Sequence, residues 1–177
     1  MRERITPTME ERKLTESSFI VSRTDPSGKI TYANRTFMEI SGYPERELLG
    51  VQHNIVRHPD MPRGVFQFMW EELSSGREFF GFVKNLCKDG AYYWVFANIT
   101  PDFDTDGRHI VGYYSVRRFP PESAVAAIEP VYQEMVRIEQ TSSGKKQGLK
   151  ESVNYLQGFL ADKGVSYEKF VLDLYQA

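Results

Sequence analysis

The stretch DPSGKITYANRTFMEISGYPERELLG, residues 25–50, indicates how the chain folds. Its first five residues are typical of a tight turn, and ITYAN, residues 30–34, is predicted to be the second strand of a hairpin. A short helix follows, because apolar residues recur at helical spacing from Phe37, Asn34 is a suitable N-cap and Gly42 a suitable stop. The stretch therefore predicts a hairpin that leads directly into a helix.

The flanking sequence predicts further strands and one longer helix. SSFIVSRTD, residues 17–25, supplies the first strand of the hairpin, and residues 63–74 place apolar side chains on one face of an amphipathic helix. EFFGFVKNLC and AYYWVFANITP are two strands joined by a turn at Asp89-Gly90, and HIVGYYSVRRF, residues 109–119, is the last strand. The predicted fold class is α+β, a five-stranded antiparallel sheet with helices on one face.

A different pattern begins at Pro120-Pro121, which ends the last predicted strand. Beyond it, apolar residues at i, i+3 and i+4 spacing predict two or three helices. We therefore divide the chain into a polar N-terminal segment, residues 1–14, a domain over residues 15–120 and a helical C-terminal region, residues 121–177.

Composition and charge restrict the classes of function. Of 177 residues, 41% are hydrophobic and 14% aromatic, so a packed core is expected rather than disorder. The net charge of −2 argues against a nucleic-acid-binding protein. No apolar run is long enough for a membrane span or a signal peptide, and the single cysteine cannot form an internal disulfide. We expect a soluble cytoplasmic protein that contacts neither membrane nor nucleic acid.

The segment HNIVRHPDMP, residues 53–62, brings a cation, an imidazole and a carboxylate close together in Arg57, His58 and Asp60. Its two prolines prevent a continuous helix, so a fixed irregular turn is predicted. Two interpretations follow. The turn could bind a ligand, or Arg57 and Asp60 could form an ion pair of little energetic weight.

Three other side chains are candidates for a binding site. Asn85 lies between apolar neighbours on a predicted strand, and an amide that points into an apolar interior needs a partner. Asn34 is explained by helix capping, with a binding role as the second interpretation. Trp70 is predicted to lie in the core, since its helical spacing already accounts for it, with cofactor contact as its alternative. His53 and His109 are predicted to lie on the surface.

The order of elements, together with residues 25–50, resembles a PAS domain. The longer stretch 41–98 is similar to the sensor domain of Aer-type aerotaxis receptors, above all in RHPDMP, in Trp70 and in the pattern KN…DG…YWV. The resemblance covers about residues 15–120. Nothing after residue 120 resembles the transmembrane anchor and methyl-accepting region of those receptors.

The resemblance implies a redox or oxygen sensor that binds FAD noncovalently and serves signal transduction in aerotaxis or chemotaxis. An arginine can bind phosphate through two hydrogen bonds, and an asparagine can both donate and accept at the pyrimidine edge of a flavin. The implied cofactor-binding residues are Arg57, His58, Asp60, Asn85, Asn34 and Trp70.

Flavin-binding light sensors of the same superfamily differ from this chain in two respects. They carry a reactive cysteine where residues 56–60 stand here, so a covalent photocycle is not expected. Their hairpin register also bears on Asn85. A two-residue loop at Asp89-Gly90 would place Trp94 opposite Asn85, and a three-residue loop would place Val95 there. We expect the second arrangement, with Val95 directed inward.

The C-terminal helices are expected to pass the signal to another protein, such as a chemoreceptor or a histidine kinase. Their apolar stripes, within residues 131–138 and 149–160, could be buried against the open face of the sheet, in a dimer or by that partner. We predict a homodimer, because PAS domains commonly pair through this face and two stripes exceed what one small sheet covers.

Other functions remain open at this point. His58 or His53 could ligate haem in a gas sensor. A PAS domain without cofactor could act as an interaction module. An enzyme is not expected, because the sequence contains no nucleophile–base pair, metal cluster or dinucleotide glycine motif, and we assign no catalytic or metal-binding residue.

Overall fold

Five strands form one antiparallel sheet in the computed structural model, which describes residues 5–177 of the chain. The order across the sheet is β2-β1-β5-β4-β3, so the last strand in the chain occupies the centre. This confirms the predicted sheet. The strands are β1 (Ile20–Thr24), β2 (Ile30–Ala33), β3 (Phe79–Leu86), β4 (Tyr92–Phe103) and β5 (Ile110–Arg118).

The helices fall into two groups that cover opposite faces of the sheet. The first group connects β2 to β3 and comprises α1 (Arg35–Ser41), α2 (Glu45–Leu48), a 3₁₀ helix (His53–Val56) and α3 (Arg63–Ser74). The second group is the predicted tail and comprises α4 (Glu122–Thr141), α5 (Lys145–Lys163) and α6 (Tyr167–Gln176). We call the face toward α1 the inner face and the face toward α4 and α6 the outer face.

The turn between β3 and β4 sets which side chains share a face. Cys87 and Ala91 are joined by a backbone hydrogen bond of 2.7 Å and enclose a three-residue loop that ends at Gly90. Gly90 has a φ of 96°, which a residue with a Cβ rarely adopts. The register places Tyr93 opposite Asn85, so the sequence prediction of Val95 or Trp94 at that position was wrong. The loop has three residues, as expected, but it begins one residue earlier in the chain than we had assumed, at Lys88.

The prediction that Val95 is directed toward the inner face is nevertheless confirmed. Val95 points inward and is fully buried opposite Val83. Asn85 and Tyr93 belong to the same face, whereas Trp94 belongs to the outer face and stacks on Tyr132 of α4. Strand alternation therefore separates the polar pair from the aromatic residues that hold the tail.

The tail folds back on the outer face of β3 and β4. The hydroxyl of Tyr132 donates to the carbonyl of Phe82 over 2.9 Å, and the ring of Tyr175 stacks on that of Phe96 with centroids 4.2 Å apart. Both predicted stripes are largely covered, since Met135 and Leu156 are buried. Folding back, one of the three alternatives that the sequence left open, is therefore the arrangement in this structure. One of the two reasons we gave for a dimer, an excess of apolar surface on the stripes, does not hold.

The division at residue 120 remains a prediction. The change from strand to helix falls between Arg118 and Glu122, as expected. The tail and α3 share one buried cluster with the outer face, however, so the two regions pack as neighbours within one core.

The N-terminal segment has structure that the sequence did not predict. The amide of Thr8 donates to Gly90, that of Arg12 donates to Tyr92, and that of Tyr92 donates to Glu10, over 2.7–2.9 Å. This part of the segment extends the sheet beside the beginning of β4. Residues 1–4 of the predicted segment lie outside the described residues.

Candidate functional site

A cleft of about 210 Å³ opens between the inner face, the 3₁₀ helix and α3. A second void of about 70 Å³ lies beside it, shares Met69 and Trp70 of α3 with it, and reaches Ser22 and Ser115 on the sheet. The segment that interested us in the sequence therefore forms one wall of a cavity. Its lining includes Gln52, His53, Arg57, Phe66, Trp70 and Asn85.

Asn85 points from β3 into this cleft, as predicted. Its side chain is buried, and its Nδ2 has no hydrogen-bond partner among residues 5–177. A buried amide donor without a partner costs about 1–3 kcal/mol of stability. A ligand that brings a hydrogen-bond acceptor into the cleft would satisfy this donor.

Tyr93, directly opposite Asn85, is a second buried donor that lacks an acceptor among the described residues. Its ring is fully buried, and its hydroxyl finds no hydrogen-bond partner in the described part of the chain. Burial raises the pKa of this phenol well above its ordinary value, so the group is a donor at any physiological pH. Sequence analysis missed Tyr93 because the register was predicted incorrectly.

Arg117, on the central strand β5, is a buried cation without an acidic partner in the described part of the chain. It is 3% exposed, donates one hydrogen bond to the hydroxyl of Ser22 and lies 4.6 Å from the ring centroid of Phe37. Within residues 5–177 its Nε and Nη1 have no hydrogen-bond partner and its guanidinium forms no ion pair. Burial lowers the pKa of Arg117 to about 10, which leaves it charged at neutral pH.

His53 links Arg117 to the cleft. Its Nε2 lies 3.0 Å from the Ser22 hydroxyl that also accepts from Arg117, and its ring stacks on Phe37 with centroids 5.6 Å apart. The prediction that His53 lies on the surface was wrong, whereas His109 is exposed as predicted. Desolvation, together with the charge of Arg117, lowers the pKa of His53 to about 3.

We expect His53 to make the protein less stable in mild acid. Its pKa is lower in the folded than in the unfolded chain, so the unfolded chain binds the extra proton and stability falls as the pH drops below about 6.5. Between pH 6 and pH 5 the free energy of unfolding should decrease by about 1 kcal/mol more in the wild type than in His53→Gln. Urea titrations at both pH values test this, with the exposed His109→Gln as control. Equal pH slopes in wild type and His53→Gln would contradict it.

Arg57 lies at the other end of the cleft and does not pair with Asp60. Its guanidinium packs 4.6 Å from the ring centroid of Phe66 and donates to the Met61 carbonyl over 3.0 Å. It forms no ion pair within the described residues, and burial lowers its pKa. Of the two interpretations of the turn, the Arg57–Asp60 ion pair is therefore wrong.

His58 and Asp60 lie outside the cleft. The chain passes around the edge of β3 here, and Asp60 binds Lys84, an outer-face residue, over 2.7 Å. His58 is buried with its ring 6.0 Å from that of Tyr92, and its Nδ1 accepts a hydrogen bond of 3.1 Å from the amide of Asp60. Burial lowers the pKa of His58, with Asp60 opposing the shift. The structure thus separates these two residues from Arg57.

The remaining two candidates also differ from each other. Trp70 is 40% exposed, at the mouth of the cleft, with its ring 5.3 Å from that of Tyr113. The prediction that it belongs to the core was wrong, because α3 turns this side chain toward solvent. Asn34 lies away from the cleft and is the predicted N-cap of α1, accepting from Phe37 over 3.1 Å. It also accepts from Val21 and donates to Phe19, which satisfies both ends of its amide.

The arrangement suits a neutral or anionic ligand that is rich in hydrogen-bond acceptors. Asn85 presents a buried donor to the cleft, and Phe66 and Trp70 provide flat apolar walls. Tyr93 and Arg117 carry further buried donors on the same face of the sheet, outside the lining of the cleft. Among residues 5–177 no group of three or more His, Cys, Asp or Glu side chains is placed to hold a metal ion.

Comparison with known proteins agrees with this fold. Residues 30–114 match the family described as PAS fold. The chain is 43% identical over 125 residues to the aerotaxis receptor of Escherichia coli, a match that covers 71% of this chain and 24% of the receptor. It is 33% identical over 92 residues to a nitrogen fixation regulatory protein of Klebsiella pneumoniae, covering 52% of this chain and 19% of that protein. The chain thus spans about a quarter or less of these relatives.

Solved structures show the same architecture. The dark-state structure of the LOV domain of the blue-light photoreceptor aureochrome 1 superposes with a TM-score of 0.53 at 25% identity, covering 68% of this chain and 83% of that domain. A light-oxygen-voltage domain studied with a flavin analogue gives a TM-score of 0.55 at 24% identity, over 66% and 86% of the two chains. Within residues 5–177 we find no helix with the length and apolar character that crossing a bilayer requires.

Proposed function

Because this chain belongs to the PAS-domain family, whose fold its residues 30–114 match, we propose that it is a cytoplasmic redox sensor that binds FAD noncovalently. The observation that carries this proposal is a set of buried donor atoms on the inner face that have no hydrogen-bond partner among residues 5–177. They are Nδ2 of Asn85, the hydroxyl of Tyr93, and Nε and Nη1 of Arg117. The similarity to the E. coli aerotaxis receptor supports the same class of function. We propose no catalytic activity.

The donors fit the pyrimidine end of a flavin. A bound flavin supplies reversible electron transfer, and its pyrimidine edge offers carbonyl oxygens and ring nitrogens as acceptors. Asn85 would donate from the cleft wall, with Tyr93 and Arg117 behind it on the same face. Arg117 keeps its charge when buried and so favours whichever form of the ligand carries the more negative charge.

The cleft would have to enlarge to hold a flavin. Its 210 Å³ is below the range of about 300–1,000 Å³ that is usual for pockets of drug-sized ligands. Trp70, exposed at the mouth and in edge contact with Tyr113, is the side chain whose rotation would enlarge it at least cost. Trp70 is therefore proposed as a movable wall of the flavin site.

Noncovalent binding is supported by the state of Cys87. Its thiol donates to the Ile40 carbonyl at the far end of β3, and burial raises the pKa of the thiol to about 11. A protonated thiol in that position is a poor nucleophile toward a ligand in the cleft.

The output route that we propose runs through α3. This helix lines the cleft with Phe66, Met69 and Trp70, and it begins at an amide pair held by Glu139 of the tail. A change of ligand that shifts α3 would therefore alter the docking of α4. The released tail would signal to a partner such as a chemoreceptor or a histidine kinase.

We further propose a homodimer, now through a different surface. The tail covers the β3–β4 half of the outer face, whereas Tyr32 on β2 and Tyr114 on β5 remain 48% and 41% exposed. Replacement of both by Ser should yield a monomer in multi-angle light scattering at concentrations where the wild type is dimeric. A wild type that is monomeric when both oxidised and reduced would refute the dimer.

One spectrum separates the proposed cofactors. The purified protein should show flavin absorbance in the near ultraviolet and blue, and the flavin should be released intact by denaturation. A Soret band would instead indicate haem, and a colourless protein that takes up neither cofactor would indicate an interaction module. Either result would refute the flavin proposal.

Single substitutions test the proposed contacts. We expect Asn85→Ala and Arg57→Ala each to weaken FAD binding about 10- to 100-fold, since each removes a partner worth about 1–3 kcal/mol. Matched controls are the exposed Asn154→Ala and Arg46→Ala. FAD retained after gel filtration is the measurement, with circular dichroism to confirm folding. Parental retention in a folded Asn85→Ala protein would show that the contact is misassigned.

A further inference from the structure

A pocket of about 300 Å³ opens on the outer side of the sheet, away from the cleft. Three parts of the chain enclose it: the N-terminal segment beside β4, the two residues that follow β5, and the beginning of α4. Its lining includes Glu11, Trp94, Phe119, Glu122, Val125 and Glu129. None of the residues that line the cleft takes part, so the two cavities are separate features of the molecule.

Trp94 brings a hydrogen-bond donor to this pocket. The residue is 6% exposed, and its ring stacks on that of Tyr132 with centroids 6.3 Å apart. Its indole N–H donates to no group among residues 5–177, and those residues do not seal it off from solvent. A ligand without an acceptor would displace water from this N–H and leave it unpaired, which costs affinity. The donor therefore selects a ligand that carries an acceptor.

The two cations that line the pocket are already neutralised. Lys13 forms an ion pair at the rim with Glu122, the first residue of α4. The guanidinium of Arg12 is engaged outside the pocket, where it pairs with Asp89 in the turn between β3 and β4. Neither side chain is thus free to attract an anion into the pocket.

Two further carboxylates give the pocket an excess of negative charge. Glu11 forms no ion pair within residues 5–177. Glu129 lies 3.8 Å from the Nζ of Lys84, whose closer partner, at 2.7 Å, is Asp60. Burial raises the pKa of the Tyr92 phenol, and the charges of Glu11 and Glu129 add to the shift while Lys84 opposes it. The local field therefore favours a cation over an anion.

The rest of the lining is apolar. Phe119, Pro120 and Val125 contribute hydrophobic surface, and the indole ring of Trp94 contributes a flat one. The volume lies at the lower end of the range of about 300–1,000 Å³ that is usual for small-molecule sites. A few polar groups around an apolar interior are typical of such sites.

We propose that this pocket binds a small organic cation that has a flat apolar body and one oxygen acceptor. The indole of Trp94 would donate to the oxygen, and Glu11 and Glu129 would balance the charge. The ligand would join the N-terminal segment to α4, and so act on the tail from the face opposite the cleft. This inference goes beyond the proposed function and does not depend on a flavin.

The two tryptophans of the chain report on the two cavities separately. In the full chain, isotope-labelled at its indole nitrogens, Trp94 gives one N–H signal from the pocket and Trp70 gives another from the cleft. Four probes are titrated. Nicotinamide methylated at its ring nitrogen is a flat cation with a carbonyl oxygen, and nicotinamide has the oxygen without the charge. N-methylpyridinium has the charge without the oxygen, and nicotinate is an anion.

Methylated nicotinamide should shift the Trp94 signal with a Kd about three- to tenfold lower than that of nicotinamide or N-methylpyridinium, because each of these lacks one interaction. The Trp70 signal should stay in place, and nicotinate should move neither signal.

Two pairs of variants locate the binding. Ala126→Phe fills the pocket from an exposed position and should abolish the Trp94 shift, whereas the exposed Ala127→Phe, outside the lining, should preserve it. Glu11→Gln should weaken binding of methylated nicotinamide about two- to fivefold and leave nicotinamide unchanged. The exposed Glu16→Gln, also outside the lining, should change neither Kd. Circular dichroism confirms that each variant is folded.

Three results would overturn the proposal. They are a Trp94 signal that no probe moves, a Kd for nicotinate equal to that for methylated nicotinamide, and a shift that persists in Ala126→Phe. A Trp94 signal that moves with protein concentration, in the absence of any probe, would assign the pocket to a second copy of the chain and would also overturn it. The flavin spectrum is measured independently, so failure here leaves the proposed function standing, and a colourless protein leaves this inference standing.

Discussion

Replacement of Arg117 by Met is expected to stabilise the cofactor-free protein while weakening its hold on reduced flavin. A buried charge that lacks an ionic partner is retained at a cost, and apolar side chains of similar volume in place of buried charges often add about 1–4 kcal/mol of stability. Met fills the space of the arginine stem beside Phe37 and leaves Ser22 bonded to His53.

The same substitution should move the reduction potential of a bound flavin downward. Loss of a buried cation disfavours the more negative form, and a loss of about 1.4 kcal/mol corresponds to about 30 mV for a two-electron couple. Urea unfolding of the cofactor-free protein and spectroelectrochemistry of the loaded protein are the two measurements. The control is Arg118→Met, an exposed neighbour on the outer face, which should change neither quantity. Destabilisation by Arg117→Met in the absence of flavin would show that the cation serves the fold alone.

Replacement of Glu139 by Ala should have the largest effect on stability among the tail residues, a loss of about 2–4 kcal/mol. The carboxylate accepts hydrogen bonds of 3.0 Å and 2.9 Å from the amides of Arg63 and Gly64, which begin α3, and it also pairs with the Arg63 side chain. Its side chain is 7% exposed, so water replaces these bonds poorly.

Hydrogen exchange gives this prediction a local signature. The amides of Arg63 and Gly64 should lose protection in Glu139→Ala before the strands do, because they lose the carboxylate that caps them. Glu134→Ala is the matched control, since Glu134 lies on the same helix and pairs at the surface with Arg137. If protection at Arg63 and Gly64 is unchanged, the tail does not hold α3, and the proposed output route fails with it.

Strand and helix patterns predicted the fold because each element obeys a simple period. The alternation in β3 and β4, the turn at Asp89-Gly90 and the capping of α1 by Asn34 are local features, and the structure contains all of them. The pairing of β3 with β4 could not be predicted in the same way. It depends on which residues the loop encloses: the loop has the expected three residues but begins one position earlier, and this error concealed Tyr93.

The charged residues of the site were hidden for a different reason. Charge alone suggests a surface position, so Arg117 and His53 were overlooked or misplaced. The sequence of β5 could have indicated a buried arginine. Neighbouring side chains of a strand point to opposite faces, so either Arg117 or Arg118 must point inward. For His58 and Asp60 the sequence offered no such guide, since the direction of side chains in an irregular turn depends on how the chain passes the edge of β3.

The position of β5 determines when the sheet can be completed. The β1–β2 hairpin joins the other strands through β5 alone, with Ile20 paired to Arg117 and Thr24 to Tyr113. During synthesis the hairpin therefore waits until β5 has left the ribosome, and the smaller void beside the cleft, which Tyr113 and Ser115 of β5 line, cannot close before that moment. Contacts between residues so far apart in the chain slow folding. A nascent chain halted before β5 would present β4 as an open edge, which is a target for chaperones and for aggregation.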